Sequence, residues 1–348
     1  TLILMITIFY MAAFRRSDPV MFGFDFQINA AIILMLKNIK SLETIRIEGN
    51  YEDIELQLKD GERILAQAKG VQKGSSDFRK VRENLKKALL TLSEGGKRAK
   101  AKQLIFITNS FNPFNDDASK GIFSGPPSYR TYDSLPESSR KIIDDYLESM
   151  DNPLDTNKLL IQTLPFETDD EDERYKYVLR EIENFIGTLQ LSTPGISKKL
   201  MMTWQNDLDH NGSKKDAEIR LKKEDLIWPI LVIITDVEPS EEFVEYLDSD
   251  IYDDVVDQYK DLISSCCERY EFFKDILSDF NSFKAKTEHK RNKEILFEFI
   301  DSYWKNYIYG FDDAGIDDEV QEPLVKIILY NVITKRRKID CVKKGVNL

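Results

Sequence analysis

"EDIELQLKDGERILAQAKG", residues 52–70, holds an acid, an alternating run, a glycine turn and a second run ending in Gln-x-Lys. Strand side chains alternate with period two, so the turn length decides which of them meet. A two-residue Asp60-Gly61 turn pairs Lys59 with Glu62 and Asp53 with Ala68, turning Gln67 and Lys69 away from Asp53. A three-residue loop, Lys59-Asp60-Gly61, places Gly61 at the left-handed position of a bulge, where glycine is favoured. Leu58 then pairs with Glu62 and Asp53 with Gln67, with Lys69 one step along the same face. This register also sorts the chain by polarity. Ile54, Leu56, Leu58, Ile64, Ala66 and Ala68 fall on one side, and Asp53, Glu55, Gln57, Arg63, Gln67 and Lys69 on the other, with Leu65 the single misfit. The three-residue turn is the expectation.

Working outward, "MFGFDFQINAAIILMLKNI" (21–39) is apolar nearly all round and reads as a buried helix carrying one notable polar side chain, Gln27. "ETIRIEG" (43–49) alternates as a strand. After the hairpin, Phe78, Val81, Leu85, Ala88, Leu89 and Leu92 recur at helical spacing, and "QLIFITNS" (103–110) is a short buried-type strand. The order is helix, three strands, helix, strand. Residues 111–137 are rich in Pro, Gly, Ser and Asn and read as a long loop. "KLLIQTLPF" (158–166) reads as a further strand and residues 170–189 as a helix. "LSTPGIS" (191–197) is the expected boundary between domain 1–190 and a mainly α-helical domain 191–348; within the latter, "LIWPILVIITD" (226–236) fits a buried strand or an apolar helix equally.

A chain of 348 residues suits two domains, and 42% hydrophobic with 32% charged residues is a globular composition. The net charge of −12 is unevenly spread: residues 1–130 carry 20 Lys and Arg against 14 Asp and Glu, leaving 29 against 47 for the rest. A basic front half beside an acidic back half implies different tasks or mutual docking. Three cysteines spell neither a disulfide framework nor a zinc site, which suits a reduced, cytoplasmic protein. The opening "TLILMITIFYMAAF" is too short to span a bilayer and reads as a buried element, or as residues upstream of a start at Met11 or Met21; no membrane role is expected. With only His210 and His289, and no phosphate-binding glycine loop, the chemistry has to run on carboxylates, amides and lysines.

Phosphodiester hydrolysis fits those groups. Asp53 is a hard oxygen ligand for Mg²⁺ or Mn²⁺, and the Gln67 side-chain carbonyl with the Ala68 backbone carbonyl can complete a sparse site, since Mg²⁺ retains several waters. Lys69 can position the water and offset phosphate charge. An Asp, about a dozen residues and then Gln-x-Lys, in a helix, three-strand, helix, strand setting, resembles the PD-(D/E)XK nuclease superfamily. More narrowly, "GFDFQINAAI", "EGNYEDIEL" and "AQAKG" resemble the double-stranded-DNA nuclease domain of bacterial antiphage effectors, as in cyclic-oligonucleotide-activated nucleases and the nuclease subunit of Lamassu systems. The similarity covers residues 20–110. It implies an α/β restriction-endonuclease-like core with Asp53 as metal-binding acid, Gln67 where many relatives have Glu or Asp, Lys69 as catalytic lysine and Gln27 as accessory residue. The related Mrr-like group also uses Gln-x-Lys. Glu48 or Glu52 supplies a further carboxylate, and the sequence does not choose between them.

The resemblance implies double-stranded DNA as substrate, a homo-oligomer when active and restraint by an SMC-like ATPase complex. Arg79, Lys80, Arg82, Lys86 and Lys87, with Lys97, Arg98 and Lys100, would hold DNA phosphates beside the hairpin, and the acidic second domain would cover that track until release. Two alternatives are the same nuclease triggered by a cyclic oligonucleotide, and a catalytically dead adaptor that keeps the fold. "DLDHNGSKKDAE" (207–218) fits the EF-hand formula with Asp207, Asp209, Asn211 and Glu218 as ligands and Gly212 at the turn. Lys214 where an apolar residue belongs, Lys215 beside the ligands and the lack of a paired loop argue against calcium, and favour a turn between helices.

Overall fold

The computed structural model describes residues 19–74, 76–124, 128–167, 170–191, 195–235, 240–267, 270–287, 291–311, 316–334 and 336–348. The apolar opening stretch lies outside them. The protein is a mixed α/β chain that divides into two compact units, one formed by residues 1–187 and 197–226, the other by 188–196 and 227–346.

The first unit begins with α1 (Pro19–Asn38), followed by β1 (Leu42–Ile47), β2 (Ile54–Leu58), β3 (Arg63–Lys69), α2 (Val81–Arg98) and β4 (Ala101–Thr108). This is the order read from the sequence. The region expected as one long loop instead contains α3 (Asp117–Phe123) and β5 (Ser128–Thr131), because buried Phe114 and Phe123 anchor it in the core. α4 (Glu137–Leu147), β6 (Leu159–Thr163), α5 (Glu171–Thr188), α6 (Ile196–Ser213) and β7 (Leu221–Lys222) complete the unit. Seven strands form one sheet in the order β5-β6-β4-β3-β2-β1-β7. β1, β2 and β3 form an antiparallel meander, and β3, β4 and β6 run parallel.

The hairpin adopts the three-residue turn. Leu58 N–H donates to the Glu62 carbonyl at 2.9 Å, Ile54 pairs with Ala66, and Gly61 takes φ +78°. The polar face expected on it is not solvated, however. α2 covers it over β3, where Gln67 is 2% exposed and Leu65 joins Leu85, Leu89, Leu92, Leu104 and Phe106 in the core, and Glu55 is fully buried against the 49–52 turn and Arg220. Leu65 is therefore no misfit: a strand with helices on both faces is apolar on both. α1 packs on β1–β3 from the opposite side. Residues 20–38 are apolar and long enough to cross a membrane by length and composition, yet 61% of that window is buried inside the fold.

The first compact unit also takes in residues beyond 190. Residues 197–226 belong with the sheet. Arg46, on β1 and 1% exposed, donates to the carbonyls of Asn211, Lys214 (2.7 Å) and Ile219 (3.1 Å), and Arg220 reaches Glu55 Oε2 at 2.9 Å. A buried guanidinium needs several acceptors, and the main chain of 211–219 provides them. The turn between helices expected over 207–218 is helical in its first half. Residues 207–213 form the last turns of α6, Asn211 accepts from the Ile47 N–H, and Glu218 accepts from Asn50. A Cβ on Gly212 would sit 3.1 Å from Ile47, so this glycine serves close packing on β1 rather than a calcium loop.

Within the stretch 226–236, the described residues 226–235 are helical: α7 (Lys223–Thr235) runs through them with Pro229 inside. α8 (Glu241–Leu247), α9 (Ser249–Cys267), α10 (Tyr270–Lys286), α11 (Asn292–Tyr303), α12 (Asp318–Thr334) and α13 (Arg336–Val346) follow, and their aromatics, among them Phe243, Phe273, Phe280 and Phe299, are core.

Candidate active site at the start of β2

The β1–β2 connection is a tight turn. Glu48 N–H donates to the Asp53 carbonyl at 2.8 Å and Gly49 N–H to the Glu52 carbonyl at 3.1 Å. Glu48 adopts φ +52°, a backbone conformation costly for a residue with a Cβ. At Gly49 a Cβ would lie 2.2 Å from Glu55 Oε1, so only glycine lets the buried Glu55 carboxylate cap the Tyr51 N–H at 2.5 Å. The turn thereby delivers Glu52 and Asp53 to the end of the sheet where β3 finishes.

There the expected residues meet. Gln67 Nε2 donates to Asp53 Oδ2, as does the Ala68 N–H at 3.3 Å, and Lys69 Nζ lies 3.6 Å from the same oxygen. From α1, Gln27 Nε2 donates to Glu48 Oε1 at 2.8 Å and to the Asp53 carbonyl at 3.0 Å, locking the turn to the helix. Both Glu48 and Glu52 are thus at the site, in different roles. Glu48 is exposed and tied to Gln27, whereas Glu52 is 6% exposed and its Oε1 is buried without a hydrogen-bond partner.

Burial dominates the electrostatics. It pushes Asp53 up to about 6, with Glu48 adding repulsion and Lys69 pulling the other way. It pushes Glu52 up to about 7, reinforced by neighbouring Asp53 and opposed by Thr91 and Lys69. Two desolvated carboxyls side by side, one with an orphaned oxygen, are a donor set that a divalent cation relieves. Among the described residues no three His, Cys, Asp or Glu side chains form a metal-binding group. A cation held here would need further oxygens beside Asp53 and Glu52, and the Gln67 amide and the Ala68 carbonyl are the groups that could supply them.

The basic residues divide. α2 joins parallel β3 and β4 and so runs against both, which puts its first turn near Lys69 and its last about 27 Å away along the axis. Lys97, Arg98 and Lys100 stand at that far end, where the Lys100 carbonyl accepts from the Arg63 N–H. Near the site, Arg79 pairs with Asp77, Lys87 with Glu83, and Arg82 donates to the Phe114 and Asn115 carbonyls, while Lys80 is exposed. The eight residues do not make one track beside the hairpin.

Thr91 escaped the sequence reading. Its hydroxyl donates to Gln67 Oε1 at 2.5 Å from the middle of α2. The signal was there, since Thr91 follows Ala88 by three on the buried stripe, but a threonine on a helix border is unremarkable until its partner is known. Fold and site together define a mixed α/β protein with a carboxylate, amide and lysine cluster at the end of its central hairpin. The chain matches no protein-family model, no curated protein and no solved structure.

Proposed function

We propose that this protein is a metal-dependent double-stranded-DNA endonuclease built on a restriction-endonuclease-like core. It acts in the cytoplasm as the effector of an antiphage system, restrained by partner subunits of the SMC-like ATPase kind and oligomeric when active. The observation that carries the reading is the convergence of Asp53, Gln67 and Lys69 on one another from two strands, with Lys69 Nζ 3.6 Å from Asp53. Bound Mg²⁺ or Mn²⁺ would supply a nucleophilic water at neutral pH and charge neutralisation on the phosphate. Asp53 and Glu52 would hold the cation, with the Gln67 and Ala68 oxygens completing the protein's donors. Lys69 is placed to orient the attacking water and to offset the charge that develops as the P–O bond to the leaving strand breaks. Gln27 keeps the Asp53 turn in position through its two hydrogen bonds. Phosphate contacts from the start of α2 carry no base information, so cleavage should be sequence-tolerant and sensitive to salt.

The test is cleavage of linear and supercoiled double-stranded DNA with Mg²⁺ at several protein concentrations, wild type against Lys69→Ala. Cleavage by wild type alone supports the reading, and equal cleavage by both overturns it. One observation favours a second reading, a nuclease fold kept for binding without cleavage: an amide stands at position 67 and its Nε2 faces the Asp53 carboxylate. Mn²⁺ binding lost in Asp53→Asn separates the enzyme from that adaptor.

A further inference from the structure

The Gln67 carboxamide is buried and held at both atoms. Nε2 donates to Asp53 Oδ2, and Oε1 accepts from Thr91 Oγ1 at 2.5 Å. An N–H group is no ligand for a cation, so this orientation presents the wrong atom to any metal on Asp53. A half-turn about the terminal bond exchanges oxygen and nitrogen within the same volume. The exchange leaves a buried amide N–H₂ where the oxygen was, and that group needs an acceptor.

Thr91 stands where the acceptor is needed. A hydroxyl both donates and accepts, so Oγ1 can receive Nε2–H while its own O–H turns elsewhere. An acceptor for it is at hand in the Ala88 carbonyl, 3.2 Å away. We propose that Thr91 is the positioning residue that lets Gln67 serve as a metal ligand, by supporting both orientations of the carboxamide, donating to its oxygen in the first and accepting from its nitrogen in the second. This rests on the metal-site reading above. An acid at position 67 would have no need of it, since its two oxygens are equivalent. Thr91→Val removes one hydrogen bond from the first arrangement, but two from the second. The cost therefore falls on metal affinity.

The experiment measures Mn²⁺ affinity of the full chain by calorimetry, with thermal midpoints in chelator to confirm folding. Thr91→Val should weaken binding about tenfold, the cost of a buried amide N–H left without its acceptor, and Thr91→Ser should stay within about twofold of wild type. In a Gln67→Glu background, adding Thr91→Val should change affinity by less than about threefold, because the loss is then equal in both states. If Thr91→Val matches wild type while Asp53→Asn abolishes binding, the positioning role is overturned and the metal site stands. The same tenfold loss in both backgrounds overturns it too, marking Thr91 as general packing. If wild type and Asp53→Asn behave alike, the metal site falls and this inference falls with it.

Discussion

Asp53 and Glu52 carry carboxyls raised to about 6 and about 7 by burial, from ordinary values of 3.8 and 4.5. At these two groups the folded protein holds protons that the unfolded chain has already released, so their contribution to stability is full at low pH and declines as pH climbs from about 4 to about 7. Each group contributes on the order of 2 kcal/mol to that decline. Without divalent cations the thermal midpoint should be lower at pH 8 than at pH 5, and Asp53→Asn with Glu52→Gln should flatten the slope. Asp25, also raised to about 6 by burial, keeps part of it. Added Mg²⁺ should restore stability at pH 8 in wild type and do little for Asp53→Asn. At this scale Asp53, Gln67 and Lys69 were legible as a trio because strand periodicity alone brings them together. Thr91 and the orphaned Glu52 oxygen were not, since each acquires its meaning from a partner on another element.

The hairpin and the segment that returns to it are where element-scale stability concentrates. Gly61 sits at φ +78° with open space around it, so Gly61→Ala is strained by its backbone alone and should cost about 1 kcal/mol in urea denaturation. Arg46→Met is a harsher change. It strips the carbonyls of Asn211, Lys214 and Ile219 of a shared charged donor, and should cost about 3 kcal/mol or more. The turn register could be read from the sequence because only one loop length sorts Ile54, Leu56 and Ile64 onto a single side. That Leu65 and Glu55 would both be buried could not, because it depends on α2 folding back over β3 and on Arg220 returning to Glu55. The EF-hand formula, which Lys214 and Lys215 already argued against, matches in spacing alone: spacing specifies ligands only when the backbone wraps around them, and here residues 207–213 are helical.

For the whole chain, the unit boundaries make fragments informative. A fragment ending at residue 190 loses the acceptors of Arg46 and the partner of Glu55, while one ending at 226 keeps both. The 1–226 fragment should unfold cooperatively by circular dichroism, whereas 1–190 should aggregate or melt without a transition. Removing 227–348 discards most of the acidic excess, so if that region shields the phosphate contacts, 1–226 should bind duplex DNA more tightly than the full chain at low salt. Unchanged affinity would sink the shielding idea.

Local pattern by itself determined the element order through β4, the hairpin register and the apolar α1, because periodicity, turn chemistry and composition act over neighbouring residues. Tertiary structure alone decided that 197–226 joins the sheet, that α2 roofs the polar face of β3, and that 226–235 is helix rather than strand. Those outcomes depend on which distant surface a segment buries. Arg46 finds its acceptors 165 to 173 residues along the chain, a separation that no local spacing encodes.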